Sequence, residues 1–241
     1  MAKKYKKYQK KAEYTYVFGM YSVLEVLENR PDVVLKIVTD DAPFENSGFQ
    51  KVSRISQEKH IFLEKSPLFL RKISPQENHT IVAVIKKYTS LLSPQNNHIV
   101  LHQLQYSGNL GTILRTAHGF CFTDIAIIRP SVDHFDPKAI RASMGSLFSL
   151  NIQLFDSFME YRQAFKTHTP YTFALDGVTL DTVTFKKPYI LVFGSEGAGL
   201  DASVTENTQK VKIQHLNVID SLNVTVAAGI AMYHAYSQTP S

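Results

Sequence analysis

Apolar positions change their rhythm once along the chain. In residues 17–29, VFGMYSVLEVLEN, Val23, Leu24, Val26 and Leu27 recur on a helical period, and Pro31 stops the run. Val33–Thr39 reads as a strand, followed by a turn-rich patch around Asp40–Gly48 and a short strand near Val52–Ile55. Two short helical pieces flank Pro67, and the β-branched run Thr80–Lys87 is another strand. These elements make a small α/β module, residues 14–88, close to the minimum size for a core of its own. Thr89–Asn97, TSLLSPQNN, is polar, lacks a period and contains Pro94, so residues 89–97 read as a linker.

From His98 strands and helices alternate. Strands are expected at Ile99–Leu104, Asp124–Ile128, Asn151–Phe155, Tyr171–Leu175, Pro188–Phe193 and Val211–Ile213. Helices are expected at Leu110–Phe120, Pro137–Met144, Ser157–Thr167 and Ser221–Ser237. Such alternation predicts a largely parallel sheet covered by helices on both faces, in a second domain spanning 98–241.

Composition narrows the class. At 44% hydrophobic residues, wholesale disorder is excluded, and no apolar run approaches the length of a membrane span. The single cysteine, Cys121, allows no internal disulfide and no Cys-rich zinc site; it reads as a core residue on the apolar side of a helix. His118, His134 and His215 have no ligand spacing, so no metal is expected. Charge is concentrated at one end. Of 26 Lys and Arg, six (Lys3, Lys4, Lys6, Lys7, Lys10, Lys11) precede Glu13, and without them 20 basic residues face 21 acidic ones. Residues 1–13 therefore read as a flexible basic tail: either a phosphate-gripping arm, with Tyr5 and Tyr8 free to stack on bases, or a merely solvated terminus. No apolar stretch follows the lysines, so no signal peptide is read, and a reducing, cytoplasmic location is expected.

Three loops carry the candidate chemistry. Ser107–Arg115 joins a strand to a helix, with glycines that permit close ligand approach, free N–H groups at the helix start, and Arg115 to hold a phosphate; a plain turn capped by Asn109 is the alternative. Phe193–Gly199, FGSEGAG, follows the strand PYILVF at the end where open α/β sheets bind ligands. Its glycine spacing is neither that of a dinucleotide fingerprint nor that of a Walker loop, and no glycine stands two residues before Ser195 as a nucleophile elbow requires. Glu196 there is either a base or hydrogen-bond acceptor, or a surface acid. Ser221–Ala228 opens the last helix, with Ser221 as N-cap and Asn223 inside the first turn against its helix propensity.

Together and in this order the three segments resemble the signature motifs of the SpoU (TrmH-like) family, in GNLGTILRTA at 108–117, LVFGSEGAGL at 191–200 and SLNVTVAAGIA at 221–231. IRASMGSLF at 140–148 also resembles the family's segment between the first two motifs, and residues 16–88 more loosely resemble its small substrate-binding domain of ribosomal-protein-like fold. The resemblance implies a SPOUT-type trefoil-knotted α/β domain, S-adenosylmethionine as cofactor, a homodimer built on the last helix, and 2′-O-ribose methylation of structured RNA, ribosomal before transfer RNA. It places Asn109, Arg115, Glu196, Ser221 and Asn223 at active-site positions, and Gly194, Ser195, Gly197, Gly199, Ile213, Leu216 and Leu222 at or beside the cofactor. RNA contacts are expected from Lys3, Lys4, Lys6, Lys7, Arg115 and Arg141. Departures occur at Tyr106-Ser107, Gln214, Asn217 and Asp220, which touch loop shape more than chemistry. A non-catalytic RNA-binding or ribosome-assembly factor on the same scaffold is the competing reading, as is a transfer-RNA enzyme.

Overall fold

The computed structural model describes residues 5–40, 47–74, 79–195, 199–216 and 218–238. Its elements run β1 (Tyr14–Phe18), α1 (Met20–Asn29), β2 (Val34–Thr39), α2 (Ser47–Glu58), β3 (Leu63–Lys65), α3 (Pro67–Ile73) and β4 (Ile81–Lys86). They continue with β5 (His98–His102), α4 (Ser107–Gly119), β6 (Asp124–Ile128), α5 (Pro137–Ala142), β7 (Asn151–Phe155), α6 (Phe158–Ala164) and β8 (Thr169–Thr179). The last are β9 (Tyr189–Phe193), α7 (Ala202–Thr205), β10 (Gln209–Lys212) and α8 (Val224–Ser237). The chain packs as two units, Met1–Tyr88 with Asp133–Ser149, and Thr89–Val132 with Leu150–Ser241. Residues 133–149 thus pack with the first unit although they lie within the 98–241 span; nothing in chain continuity marks that return.

The first unit holds a four-stranded sheet in the order β1-β4-β2-β3, antiparallel except for the parallel β2–β3 pair. Two of its elements correct the sequence reading. Tyr14–Phe18 is a strand whose aromatic and β-branched residues pair with β4, so the helix starts only at Met20, after Gly19 with φ +88°. The expected strand at Val52–Ile55 lies inside α2, because Phe49, Val52, Ile55 and Ser56 share one buried helical face. That face spans a segment too long to be recognised from its two β-branched residues alone. Of the two helical pieces expected around Pro67, α3 is present, and among the described residues β3 stands before it.

The basic segment is also corrected. From Tyr5 onward it is docked on the first unit. Tyr5 and Tyr8 pack on the cluster of Tyr16, Val38, Leu70 and Val84, and the Tyr5 ring meets Tyr14 edge-on at 5.0 Å. Tyr16 Oη donates to the Lys6 carbonyl, Lys6 N donates to Tyr14 Oη at 2.8 Å, and Tyr8 Oη donates to Asp133 Oδ2 at 2.8 Å. The tyrosines are therefore spent on packing rather than left for bases, while Lys6, Lys7, Lys10 and Lys11 stay exposed. Asp133 also accepts from Lys87 Nζ at 2.6 Å and Phe135 N at 2.9 Å. Burial pushes its carboxyl up, but these donors outweigh it and hold the pKa below the usual value.

Next to it, His134 is buried, and its Nδ1 has no hydrogen-bond partner among the described residues. Burial, opposed by Asp133, pushes the ring's pKa down to about 4. Unfolded, the ring takes a proton near its ordinary 6.5, so stability is complete above that pH and is lost as pH falls toward 4. The expected loss is about 3 kcal/mol from this residue. Thermal unfolding of wild type and His134→Phe across pH 7 to 4 checks it; an equally steep decline in the variant would refute the assignment.

The second unit is a six-stranded, all-parallel sheet in the order β10-β8-β9-β5-β6-β7. Every residue of β5, β6 and β9 is buried, as central strands covered on both faces require. The expected linker is partly built into this unit: Leu92 is buried in its core, and Asp124 accepts from Ser93 N and Asn96 Nδ2, each at 2.8 Å. Chain order reverses at β5, which sends β6 and β7 to one side and has β9 on the other. The carboxyl ends of β5 and β9, paired from His98↔Ile190 to Leu101↔Phe193, are therefore the place where a ligand crevice is expected.

Cys121 is not a core residue. Helix α4 ends at Gly119, and Cys121 lies beyond it at φ +61°, exposed. Among the described residues no helix is long and apolar enough to cross a membrane.

Candidate active site

β9 delivers the buried Phe193 to its carboxyl end, and the glycine loop begins at once. The loop folds back on itself: Ser195 bridges Gly199, with Gly199 N donating to Ser195 O at 3.1 Å. Gly194 is confined by that return, since a Cβ there would lie 2.3 Å from the Gly199 carbonyl oxygen. Gly199 itself sits at φ +66°, where a side chain is strained.

Beside this loop β8 loses its register with β10. Lys210 pairs with Thr172, but the next residue, Val211, pairs with Val178. The intervening residues of β8 include Phe173, Ala174 and Leu175, which wall a cavity of about 370 Å³. A second cavity of about 300 Å³ adjoins Gly194 and Ser195. Both are bounded by Phe173, Gly199, Leu200, Ser221, Leu222 and Ala227, so they are two lobes of one crevice. The Phe173 ring stacks on Phe193 with centroids 4.8 Å apart and planes 11° from parallel. The larger lobe is chiefly apolar, completed by Val211 and Ile213, with Thr205 and His215 as its polar side chains besides Ser221.

The residues expected from sequence distribute unevenly. Gly194, Ser195, Gly199, Ile213, Ser221 and Leu222 line the crevice. Leu216 does not; it is 78% exposed. Glu196 and Gly197 lie outside the described residues, as do Lys3 and Lys4. Asn223, rather than Ser221, is the N-cap of α8: its Oδ1 accepts from Thr225 N at 2.8 Å and from Thr225 Oγ1 at 2.6 Å. The supposed propensity violation disappears, because asparagine is a favoured cap.

Asn109 stands in the first turn of α4, which starts earlier than expected and is not capped by it. Arg115 is exposed eight residues into that helix, about 12 Å from its start at 1.5 Å per residue, so it does not reinforce the helix N-terminus. Neither residue lines the crevice, although α4 rises from β5 next to β9 and packs on α8. Lys6, Lys7 and Arg141 are exposed on the first unit. Sequence reasoning missed Phe173–Leu175, Leu200, Thr205 and His215. Phe173 had no usable signal, since it lies in mid-strand within β8 and the register shift that brings it to the crevice leaves no mark on the sequence.

These segments lie within the range that the family comparison matches. The family model for SpoU rRNA methylases matches residues 96–233. The chain belongs to the SpoU rRNA methylase family. It is similar to an uncharacterized tRNA/rRNA methyltransferase of Synechocystis, 34% identical over 191 residues, which cover 76% of this chain and 70% of that protein. It is also similar to the 23S rRNA (guanosine(2553)-2′-O)-methyltransferase RlmP of Bacillus subtilis, 29% identical over 139 residues and 56% of either chain. The AdoMet-bound rRNA methyltransferase of Sinorhizobium meliloti shares the fold, with a TM-score of 0.80, 24% identity, and coverage of 95% of this chain and 89% of that one. The family match takes in the whole crevice, from β5 through the first ten residues of α8.

Proposed function

We propose that this protein transfers a methyl group from S-adenosylmethionine to a ribose 2′-hydroxyl of ribosomal RNA. The observation that carries the reading is the crevice itself: the second and third family segments, which end at Leu200 and begin at Ser221, close on one two-lobed hollow at the carboxyl end of the parallel sheet. Its residues suit the donor. Apolar Phe173, Val211, Ile213 and Leu222 match the faces of a purine, and the glycine loop brings bare backbone against the smaller lobe, where any side chain on Gly194 would collide. When bound, the donor supplies a methyl group already activated on a sulfonium.

The chain's own work is alignment and proton handling. A guanidinium keeps its proton, so Arg115 serves to grip a phosphate next to the target ribose and orient the 2′-hydroxyl, with the proton shared or passed to water. Asn109, Glu196 and Ser221 complete the active-site set, and Asn223 holds the start of α8 in place beside it. The family relationship supports a trefoil-knotted path for the second unit and a ribosomal-protein-like, RNA-binding role for the first. Charge agrees: the first unit carries 18 Lys and Arg against 12 Asp and Glu, the second 8 against 9. A homodimer through α8 is supported by the exposed Val226, Ile230 and Tyr233, one stripe of that helix, and by exposed Leu216, Val218 and Ile219 in the preceding loop. Ribosomal RNA, and hence the cytoplasm, is preferred because RlmP is named for a 23S rRNA site.

Mapping of 2′-O-methylation in total RNA with and without the protein tests the reading; the loss of one ribosomal mark is expected. An unchanged rRNA profile with a lost transfer-RNA mark would redirect it to the transfer-RNA alternative. No change in any RNA, with RNA binding intact, would favour the non-catalytic factor. The docked lysines carry a separate expectation: Lys6→Ala with Lys7→Ala lowers the salt slope of RNA binding by roughly 1.5, two phosphate contacts' worth. A slope equal to that of wild type would remove the arm from the interface.

A further inference from the structure

His215 lines the larger lobe of the crevice, and neither the family motifs nor the proposed transfer step assigns it a task. Its Nδ1 lies 3.0 Å from the Leu216 carbonyl oxygen. A carbonyl only accepts, so Nδ1 carries the hydrogen, and in the neutral form of the ring Nε2, at its far corner, is an acceptor. Among the described residues Nε2 has no hydrogen-bond partner, and the lobe that His215 helps to line is otherwise largely apolar, with Phe173, Leu175, Val211, Ile213 and Leu222 among its walls. His215 is only partly buried, so a ligand that fills the lobe covers the ring. An acceptor covered in this way selects for a ligand that brings a donor to it, because a ligand lacking the donor leaves the acceptor unpaired out of water. Of the donor molecule's parts, the flat purine suits these walls, and its exocyclic amine is a donor.

We propose that His215 is a specificity-determining residue, whose Nε2 accepts a hydrogen bond from the exocyclic amine of the donor's adenine. The inference rests on the reading of the crevice as the S-adenosylmethionine site. In the corresponding hypoxanthine the amine is replaced by a carbonyl oxygen. Two acceptors then face each other, and binding suffers.

The test is calorimetric and uses the full-length protein without turnover. S-adenosylhomocysteine and its deaminated analogue S-inosylhomocysteine are titrated into wild type, His215→Ala and His215→Gln. Wild type is expected to prefer the adenine compound by at least about tenfold, and His215→Ala to narrow the preference to within about threefold. His215→Gln offers either an acceptor or, with the amide rotated, a donor, and is expected to narrow the preference by improving binding of the inosine compound relative to His215→Ala. The ratio is internal to each protein, so a general loss of affinity or folded fraction does not imitate the effect. An unchanged ratio in His215→Ala, or no preference in wild type, overturns the role of His215 and leaves the crevice as the donor site. Failure of folded wild type to bind either compound overturns the donor site itself, and this inference with it.

Discussion

Gly194→Ala is expected to weaken S-adenosylmethionine binding by about 100-fold, the upper end of the roughly 1–3 kcal/mol that forcing extra atoms into a packed site costs. The added Cβ would lie 2.3 Å from the carbonyl oxygen and 2.5 Å from the carbonyl carbon of Gly199. What it meets is backbone, so no side-chain rotation relieves the clash. The end of β9 and the return of the loop must separate instead. That breaks the 3.1 Å bond from Gly199 N to Ser195 O and moves Leu200, which bounds both lobes. Because the loop lies outside the sheet, the circular dichroism spectrum is expected to remain that of wild type. Gly119→Ala is the control: a Cβ there meets nothing within 4 Å, and donor affinity should not change. If Gly194→Ala binds the donor within tenfold of wild type, the loop does not hold it.

Arg115→Ala should separate binding from chemistry. The side chain is exposed and does not line the crevice, so calorimetric affinity for S-adenosylmethionine is expected to stay within about twofold of wild type. Methyl transfer to RNA is expected to fall by about 100- to 1,000-fold, the range seen when one preorganised charged or hydrogen-bonding group is removed from a reacting centre. Arg115→Lys is expected to recover little, since a point charge does not reproduce the planar fork that holds a phosphate and fixes its orientation. Single-turnover rates with saturating RNA measure the difference. Lysine restoring most of the turnover at equal RNA affinity would show that charge alone suffices and that the fork has no orienting role.

Some of the architecture was legible because it depends on short-range pattern. β6 appears at the residues its apolar run marks and the edge strand β7 at the expected Asn151–Phe155, and the other strands of the second unit differ chiefly in their ends. A central parallel strand is an uninterrupted apolar run between polar loops, and such runs need no knowledge of their neighbours. Where two patterns compete the reading failed. Val52 and Ile55 carry strand propensity, but their spacing of three places both on the buried face of α2, and burial outweighs propensity. At the start of α8 the error was one of phase: Ser221 and Asn223 are both good caps, and only the path of the chain selects Asn223.

The site divides in the same way. Gly194 and Gly199 could be identified from sequence because glycine spacing reports backbone demands directly. Phe173 and His215 could not be placed in the crevice, since they reach it through a register shift between β8 and β10 and through the path of the loop after β10. The docked segment shows the converse error. Alternating Lys and Tyr reads as a free cationic arm, yet Tyr5 and Tyr8 find an aromatic cluster and Asp133 to pack against, and Asp133 lies more than a hundred residues away.

The order of residues by itself determined the parallel α/β class, the family and the identity of the glycine loop, because local periodicity and backbone-demanding glycines are written in contiguous stretches. Only the tertiary structure decided that residues 133–149 pack with the first unit, that the lysine segment is held by its tyrosines, and that β8 opens to wall a two-lobed crevice. Each of those outcomes depends on which distant groups satisfy one another's buried surface and hydrogen bonds, and such pairings leave no local mark on the chain.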